Sequence, residues 1–497
     1  MKKQNAKSTR KSKIISNKRK RHKLPAAGAT EAPKNSAAGL IIPTRVKISS
    51  NREAIRHLLA RASFGASVSE LQQLASASTT EVVANLLADS ALPPPPGEWV
   101  DEPFDRDAFQ NLTPEEQQAW RMLNQERLDE LRAWWLEWMM ASPFNLREKM
   151  TLFWHGHFTS DYKNVNLTQF LYKQNDLLRR HALGNFRAFL KDIYKDPAML
   201  IYLDGVNNKR QQPNENFARE LLELFTMGVG NYTETDIKEA ARAFTGWQVN
   251  TITLTSFINP QRHDEGIKTF MGRSGNFGGD EIIDIILEQP QPTGFICRKF
   301  YEFFVSREVN DDFMNELAET FRANDYEIKP VLEQLFKNEL FYSEQAVAAL
   351  IKSPVEMAVN NARMLSVEGI NFNYLITATK SLSQELLNPP NVAGWPGQRV
   401  WISPTTYVLR NTFCESYVNG GLFSNPDSNR APIKFDPLAF ACSFQIAGAR
   451  ELADAMTQHL LRLPIDEKTK EALLQVLVGT ADPEDWSLEY PGADQLA

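Results

Sequence analysis

Pro213-Asn-Glu-Asn-Phe-Ala-Arg-Glu-Leu-Leu-Glu-Leu-Phe-Thr-Met-Gly228 is the stretch from which the fold class can be read. At 100° per residue, Phe217, Ala218, Leu221, Leu222, Leu224 and Phe225 fall on one side of a helix, and Glu215, Asn216, Arg219, Glu220 and Glu223 on the other. After Gly230 a second helix runs from Tyr232 towards Trp247. Thr233 caps it with Asp236 three residues on, and a narrow face of Ile237, Ala240, Ala241 and Phe244 lets it pack closely on the first. A tight helical hairpin is expected. Glu215, Arg219 and Glu223 form an i, i+4, i+8 ladder with Glu220 beside it. Either this ladder is a solvated ion-pair face, or Glu215, Arg219, Glu220 and Glu223 line a cleft as catalytic groups for acid–base work or polar recognition.

The same periodicity extends outward in both directions. Ser50 with Glu53 opens a helix that continues through Ile55, Leu58, Leu59 and Ala62, and Thr113-Pro114-Glu115-Glu116 opens a long one reaching about Met140. Asn145 starts another, with Leu146, Met150, Phe153 and Trp154 on one face. Further helices are expected at about 167–182, 185–195, 280–288, 292–306, 310–324, 328–338, 343–349, 354–367, 374–386 and 402–418. Only Gln248 to Ile258 alternates with a β-branched pattern. It reads as a strand paired with Ile267–Met271, giving one short β-hairpin around residues 248–271. There is no βαβ alternation and no fixed repeat, so the fold class is mainly α and multi-helical. The expected organisation is a basic arm and linker over 1–45, a helical core over 46–425 and a smaller helical segment over 426–497.

Composition sets the outer bounds. The 497 residues are 42% hydrophobic and 23% charged, which excludes a globally disordered chain. No apolar run approaches the ~18 residues of a membrane-spanning helix, so no transmembrane segment is expected. The net charge of −6 hides an asymmetry. Residues 1–30 hold eleven Lys or Arg and no acid; taking those eleven from the total of 55 leaves 44 bases against 61 acids. This arm reads either as a tether for an anionic partner or as a solvated extension. No apolar stretch of secretory type follows its charges, so a cytoplasmic location is expected. Cys297, Cys414 and Cys442 are odd in number and far apart, which speaks against a disulfide framework.

Several stretches together resemble the bacterial family called domain of unknown function 1800. They are Arg56-His-Leu-Leu-Ala-Arg-Ala-Ser-Phe-Gly65, Glu148-Lys-Met-Thr-Leu-Phe-Trp-His-Gly-His-Phe158, Asp196-Pro-Ala-Met-Leu-Ile-Tyr-Leu-Asp204, Pro213–Trp247, His263-Asp264 with Lys268, and Pro389-Pro-Asn-Val-Ala-Gly-Trp395. They occur in the family's order over about residues 50–420. The resemblance implies no assigned reaction. It does imply a protein partner resembling a second family, domain of unknown function 1501, which is similar to phosphatase- and sulfatase-like hydrolases. Relatives are often exported, and the basic arm departs from that pattern.

Two further groups carry chemistry. His155-Gly-His157 puts both rings on one face of a strand but about 200° apart on a continuous helix, and Gly156 leaves the local geometry open. With His263, Asp264 and Glu220 these residues are the candidate shell for a divalent metal. Trp395 and Trp401 on a Pro-rich loop, and Trp247 after the helical hairpin, are candidate stacking platforms for a ligand. No Walker loop, dinucleotide fingerprint, G-x-S-x-G or H-E-x-x-H occurs. Two functions stay open: a helical binding or assembly protein acting with the phosphatase- or sulfatase-like partner, and a metal-assisted hydrolase using the His/Glu groups.

Overall fold

The structure is a computed structural model that describes residues 47–419, 435–484 and 486. The chain divides into Met1–Ile41 and Ile42–Ala497, and only the second unit contains described residues. The basic arm lies outside them. What is described is mainly helical, with two short antiparallel strand pairs. No helix among the described residues is long and apolar enough to cross a membrane.

Local signals set most of the helices. Thr113 accepts from Glu116 N while the Glu116 carboxylate takes Thr113 N, and with Pro114 at the first helical position this starts Pro114–Met140. Such a cap contributes about 1 kcal/mol. The same arrangement of Ser353, Pro354 and Glu356 opens Pro354–Met364.

Two expectations are corrected. Residues 343–349 form turns, not a helix: Ser343 O accepts from both Ala346 and Val347, and Ala348 sits at φ 58°, a left-handed value that no helix continues through. The β-region is also paired differently. Trp247–Asn250 pairs with Thr255–Ile258, and Lys268–Phe270 pairs with Arg273–Gly275, so each strand finds its partner across a tight turn rather than across 248–271. Asn250 makes the first turn, its Oδ1 accepting from Ile252 N and Thr253 N.

The core has two large clusters, and several helices, Leu146–His157 among them, contribute to both. Leu146–His157 puts Leu146, Met150 and Trp154 among Phe158, Phe186, Phe189, Phe225 and Phe300. Its Leu152 belongs to the second cluster, with Leu131, Trp135, Phe170 and Tyr417. Trp154 is fully buried, and each such aromatic contributes on the order of 3–5 kcal/mol against truncation. Phe440, Phe444 and Leu452, beyond residue 435, cluster with Val68 near the start of the chain's first helices. Leu146–His157 also carries part of the candidate site.

Candidate functional site

The 213–228 stretch folds as Asn216–Glu220 followed by a π-helical turn, Leu221–Thr226. The wide turn follows from Met227 N reaching Leu222 O and Thr226 Oγ1 bonding Leu221 O, both five residues back. Its apolar face is buried as the periodicity requires. Arg219 is the hub of its polar face: it reaches Glu215 at 3.1 Å, Glu223 at 3.7 Å and Glu234 at 2.8 Å. Hydrogen bonds donated to Glu234 and Glu215 hold the guanidinium's pKa above its ordinary value. Glu220 lies beside them, its pKa raised by burial and by Glu223. Arg219, Glu215, Glu223 and Glu234 form an ion-pair network that ties this segment to the following helix.

The four metal candidates are not brought together. Leu146–His157 continues through Gly156, so the rings of His155 and His157 diverge. Leu387 N donates to His155 Nε2 at 3.1 Å, and that ring lies against Trp135 and Trp395. His157 Nε2 is 3.1 Å from Phe225 O, an acceptor set free at the end of the π-turn. His263 Nδ1 is 2.8 Å from Thr245 O, and both oxygens of Asp264 accept from Arg242. Burial pushes His155 down to about 3 and His157 well below its ordinary value, so both rings are neutral. Among the described residues no group of three or more His, Cys, Asp or Glu is placed to hold a metal ion.

Of the three tryptophan platforms, Trp247 packs edge-on against Tyr194 in the strand pair. Trp395 and Trp401 come together elsewhere, at a pocket of about 240 Å³. Arg61 enters it from Asn51–Ala62; Lys149, Phe153, Gly156 and His157 from Leu146–His157; and Lys299, Glu302 and Phe303 from Gln291–Phe304. Arg307, Lys352, Glu356 and the 393–401 loop complete it. The Trp loop is seated by close backbone approach. Gly394 has φ 73°, and a Cβ built there would lie 2.2 Å from Gly156 O. Arg307 Nη2 donates to Pro396 O at 2.9 Å and holds the same loop from the other side.

The charge of this pocket is its main property. Five cations, Arg61, Lys149, Lys299, Arg307 and Lys352, face two carboxylates, Glu302 and Glu356. Glu356 is already engaged: its Oε2 accepts from Ser353 N, and its Oε1 pairs with Lys149, which is 2% exposed. Lys149 also lies over the Phe64 and Phe303 rings, at 5.2 and 5.3 Å. Despite burial, Lys149 and the bonds from Ser353 hold Glu356 down to about 2. Arg61 donates to Phe304 O and Val305 O, and burial lowers it to about 10. Burial, reinforced by Arg462, Arg61 and Lys149, pushes Lys352 down to about 7.

Three of the stretches that set the family resemblance meet here: Arg61 from the first, Lys149 to His157 from the second, Trp395 from the last. The model of a family described as protein of unknown function, DUF1800, matches residues 57–488. The chain belongs to the DUF1800 family. No curated protein and no solved structure matches it. Within this DUF1800 chain, sequence reasoning had found Trp395, Trp401 and His157 but not Lys149, Lys299, Lys352 or Glu356. The one local signal was Ser353-Pro-Val-Glu356, a capping box whose Glu also faces a lysine.

The two glycines at the loop contact give opposite expectations. Gly394→Ala forces a left-handed residue and a backbone clash, so a loss of at least ~1–3 kcal/mol is expected from strain alone. Gly156→Ala meets nothing within 4 Å and replaces glycine inside a helix, so a gain of about 0.5–1 kcal/mol is expected. Urea midpoints of the two variants, followed by tryptophan fluorescence, check both signs.

Proposed function

We propose that this DUF1800 chain is a helical binding protein whose Trp-flanked pocket takes an anionic ligand. One observation carries the reading: five cations line a partly enclosed pocket, and one of its two carboxylates is already paired. Like charges gathered in one pocket repel, and an oxyanion entering the pocket relieves that repulsion while accepting charge-assisted hydrogen bonds. Trp395, half-buried, and Trp401, 5% exposed, offer ring surface for an apolar part of the ligand. A phosphatase- or sulfatase-like partner, which the family resemblance implies, handles phosphate or sulfate esters, and a pocket that retains such groups suits joint action with it. The hydrolase alternative finds less support, because His155, His157, His263 and Asp264 each meet separate partners.

Titration calorimetry with inorganic phosphate, sulfate and phenyl phosphate tests the proposal. Saturable binding is expected, weakening with salt. Lys299→Ala and Lys352→Ala should each weaken it by roughly tenfold or more, the scale of a hydrogen bond to a charged group. Binding that is unchanged in both variants, or absent for all three probes, would sink the reading.

A further inference from the structure

We infer that Lys352 is a reactive amine that condenses reversibly with the carbonyl carbon of an acidic ligand held in this pocket. The inference rests on the anionic-ligand reading above. The other cations of the pocket meet neighbours: Lys149 pairs with Glu356, Arg61 donates to the carbonyls of Phe304 and Val305, Arg307 donates to Pro396 O, and Lys299 lies 4.9 Å from the centre of the Phe295 ring. Among the described residues, the Lys352 side chain has no hydrogen-bond or ion-pair partner.

Its root, by contrast, is fixed. Arg410 Nη2 donates to Lys352 O at 3.0 Å, Ile351 N donates to Gln398 Oε1 at 3.2 Å, and Ser353 caps the helix that follows. The backbone on either side is therefore tied both to the Trp loop and to Pro404–Asn419, while the amine at the end of the stem is left free. An unpaired amine on an anchored stem, facing a pocket that gathers anions, is the arrangement a carbonyl-capturing lysine needs. Its protonation state agrees. With a pKa of about 7, set by burial and by Arg462, Arg61 and Lys149 against the opposing pull of Glu356, about half of it is the free base at neutral pH.

The chemistry balances without a further reactant. The neutral amine adds to the carbonyl carbon, forming the N–C bond. The C–O bond then breaks, and the oxygen leaves as water with the two hydrogens of the amine. The product is an imine, with no oxidation or reduction. The ligand class is a small acid carrying an aldehyde or ketone, its acid group pairing with Lys299 or Arg307 and its carbonyl reaching Lys352.

Borohydride trapping tests this on the full chain, with pyruvate as the probe acid and phosphate binding measured in parallel. Expected is a single reduced adduct on the peptide that holds Lys352, absent in Lys352→Met and in Lys352→Arg. Lys352→Arg should still bind phosphate, because it keeps the positive charge, and Lys352→Met should fold, because it removes an amine that no partner holds. No adduct in a wild-type chain that binds phosphate would overturn the imine alone. An adduct that persists in Lys352→Arg would overturn it as well. A wild-type chain that binds no phosphate would overturn the anionic-ligand reading and this inference with it.

Discussion

Replacing Glu148 with alanine is expected to cost about 3–5 kcal/mol of stability, the cost of removing one partner from a buried ion pair. The Arg179 side chain has no solvent exposure and Glu148 has 4%. Arg179 Nη2 donates to Glu148 Oε2 at 3.0 Å, and its Nε donates to the other oxygen. Trp135 Nε1 donates to Oε2 as well, at 2.8 Å. The guanidinium also lies 4.7 Å from the Trp134 ring. Removing the carboxylate therefore leaves a charge and an indole N–H without acceptors in the core. Paired replacement by Glu148→Met and Arg179→Met should recover much of the loss, because it removes both charges together. Urea unfolding of the wild type, the single variant and the pair decides it. A single-variant loss below about 1 kcal/mol would show that water or another acceptor reaches Arg179.

Glu148 and Arg179 also show what could be read in the sequence and what could not. The helices holding them, Leu146–His157 and Thr168–His181, were legible from spacing, since a 3.6-residue period is a local property. That these two residues meet 31 positions apart in the core was not. The same division runs through the site. Trp395 and Trp401 drew notice because indoles on a Pro-rich loop are rare, and His157 because two histidines stood close together. Lys149, Lys299 and Lys352 are ordinary lysines in sequence. They become a site only when helices beginning at Asn51, Leu146, Gln291 and Pro354 converge, which no local period encodes.

The Arg219 ladder stands out in the sequence, but its spacing does not by itself separate an ion-pair face from a site. Its spacing was distinctive, yet i, i+4 charge pairs stabilise helices whether or not a ligand is near, and Glu234 on the next helix completes the network. The 343–349 turns and the two separate strand pairs were misread where short segments offer few periods to count. Ala348 at positive φ stops a helix in the first, Asn250 turns the first strand pair, and Met271 and Gly272, both at positive φ, turn the second.

Glu356→Gln is the second large perturbation, and its sign depends on pH. In the wild type the carboxylate sits at about 2 against an ordinary 4.5. A depressed carboxylate contributes stability that is fully present above its unfolded value and is lost as pH falls through the folded one. The shift corresponds to about 3 kcal/mol, present at pH 7 and fading between about 4.5 and 2. Glu356→Gln lacks this contribution throughout. Its stability should lie about 3 kcal/mol below wild type at pH 7, and the two curves should converge as the acid range is entered. Part of the loss is relieved by Lys149: burial already lowers its pKa while Glu356 holds it up, so without the carboxylate the ammonium sheds its proton more readily. Glu356 supports the charge of Lys352 in the same way, so the variant should also extend pyruvate trapping to lower pH. Chemical denaturation at pH 7, 4.5 and 3, beside trapping yields over the same range, reads both effects. Parallel stability curves at a constant offset would show that the pair stabilises the fold by packing rather than charge.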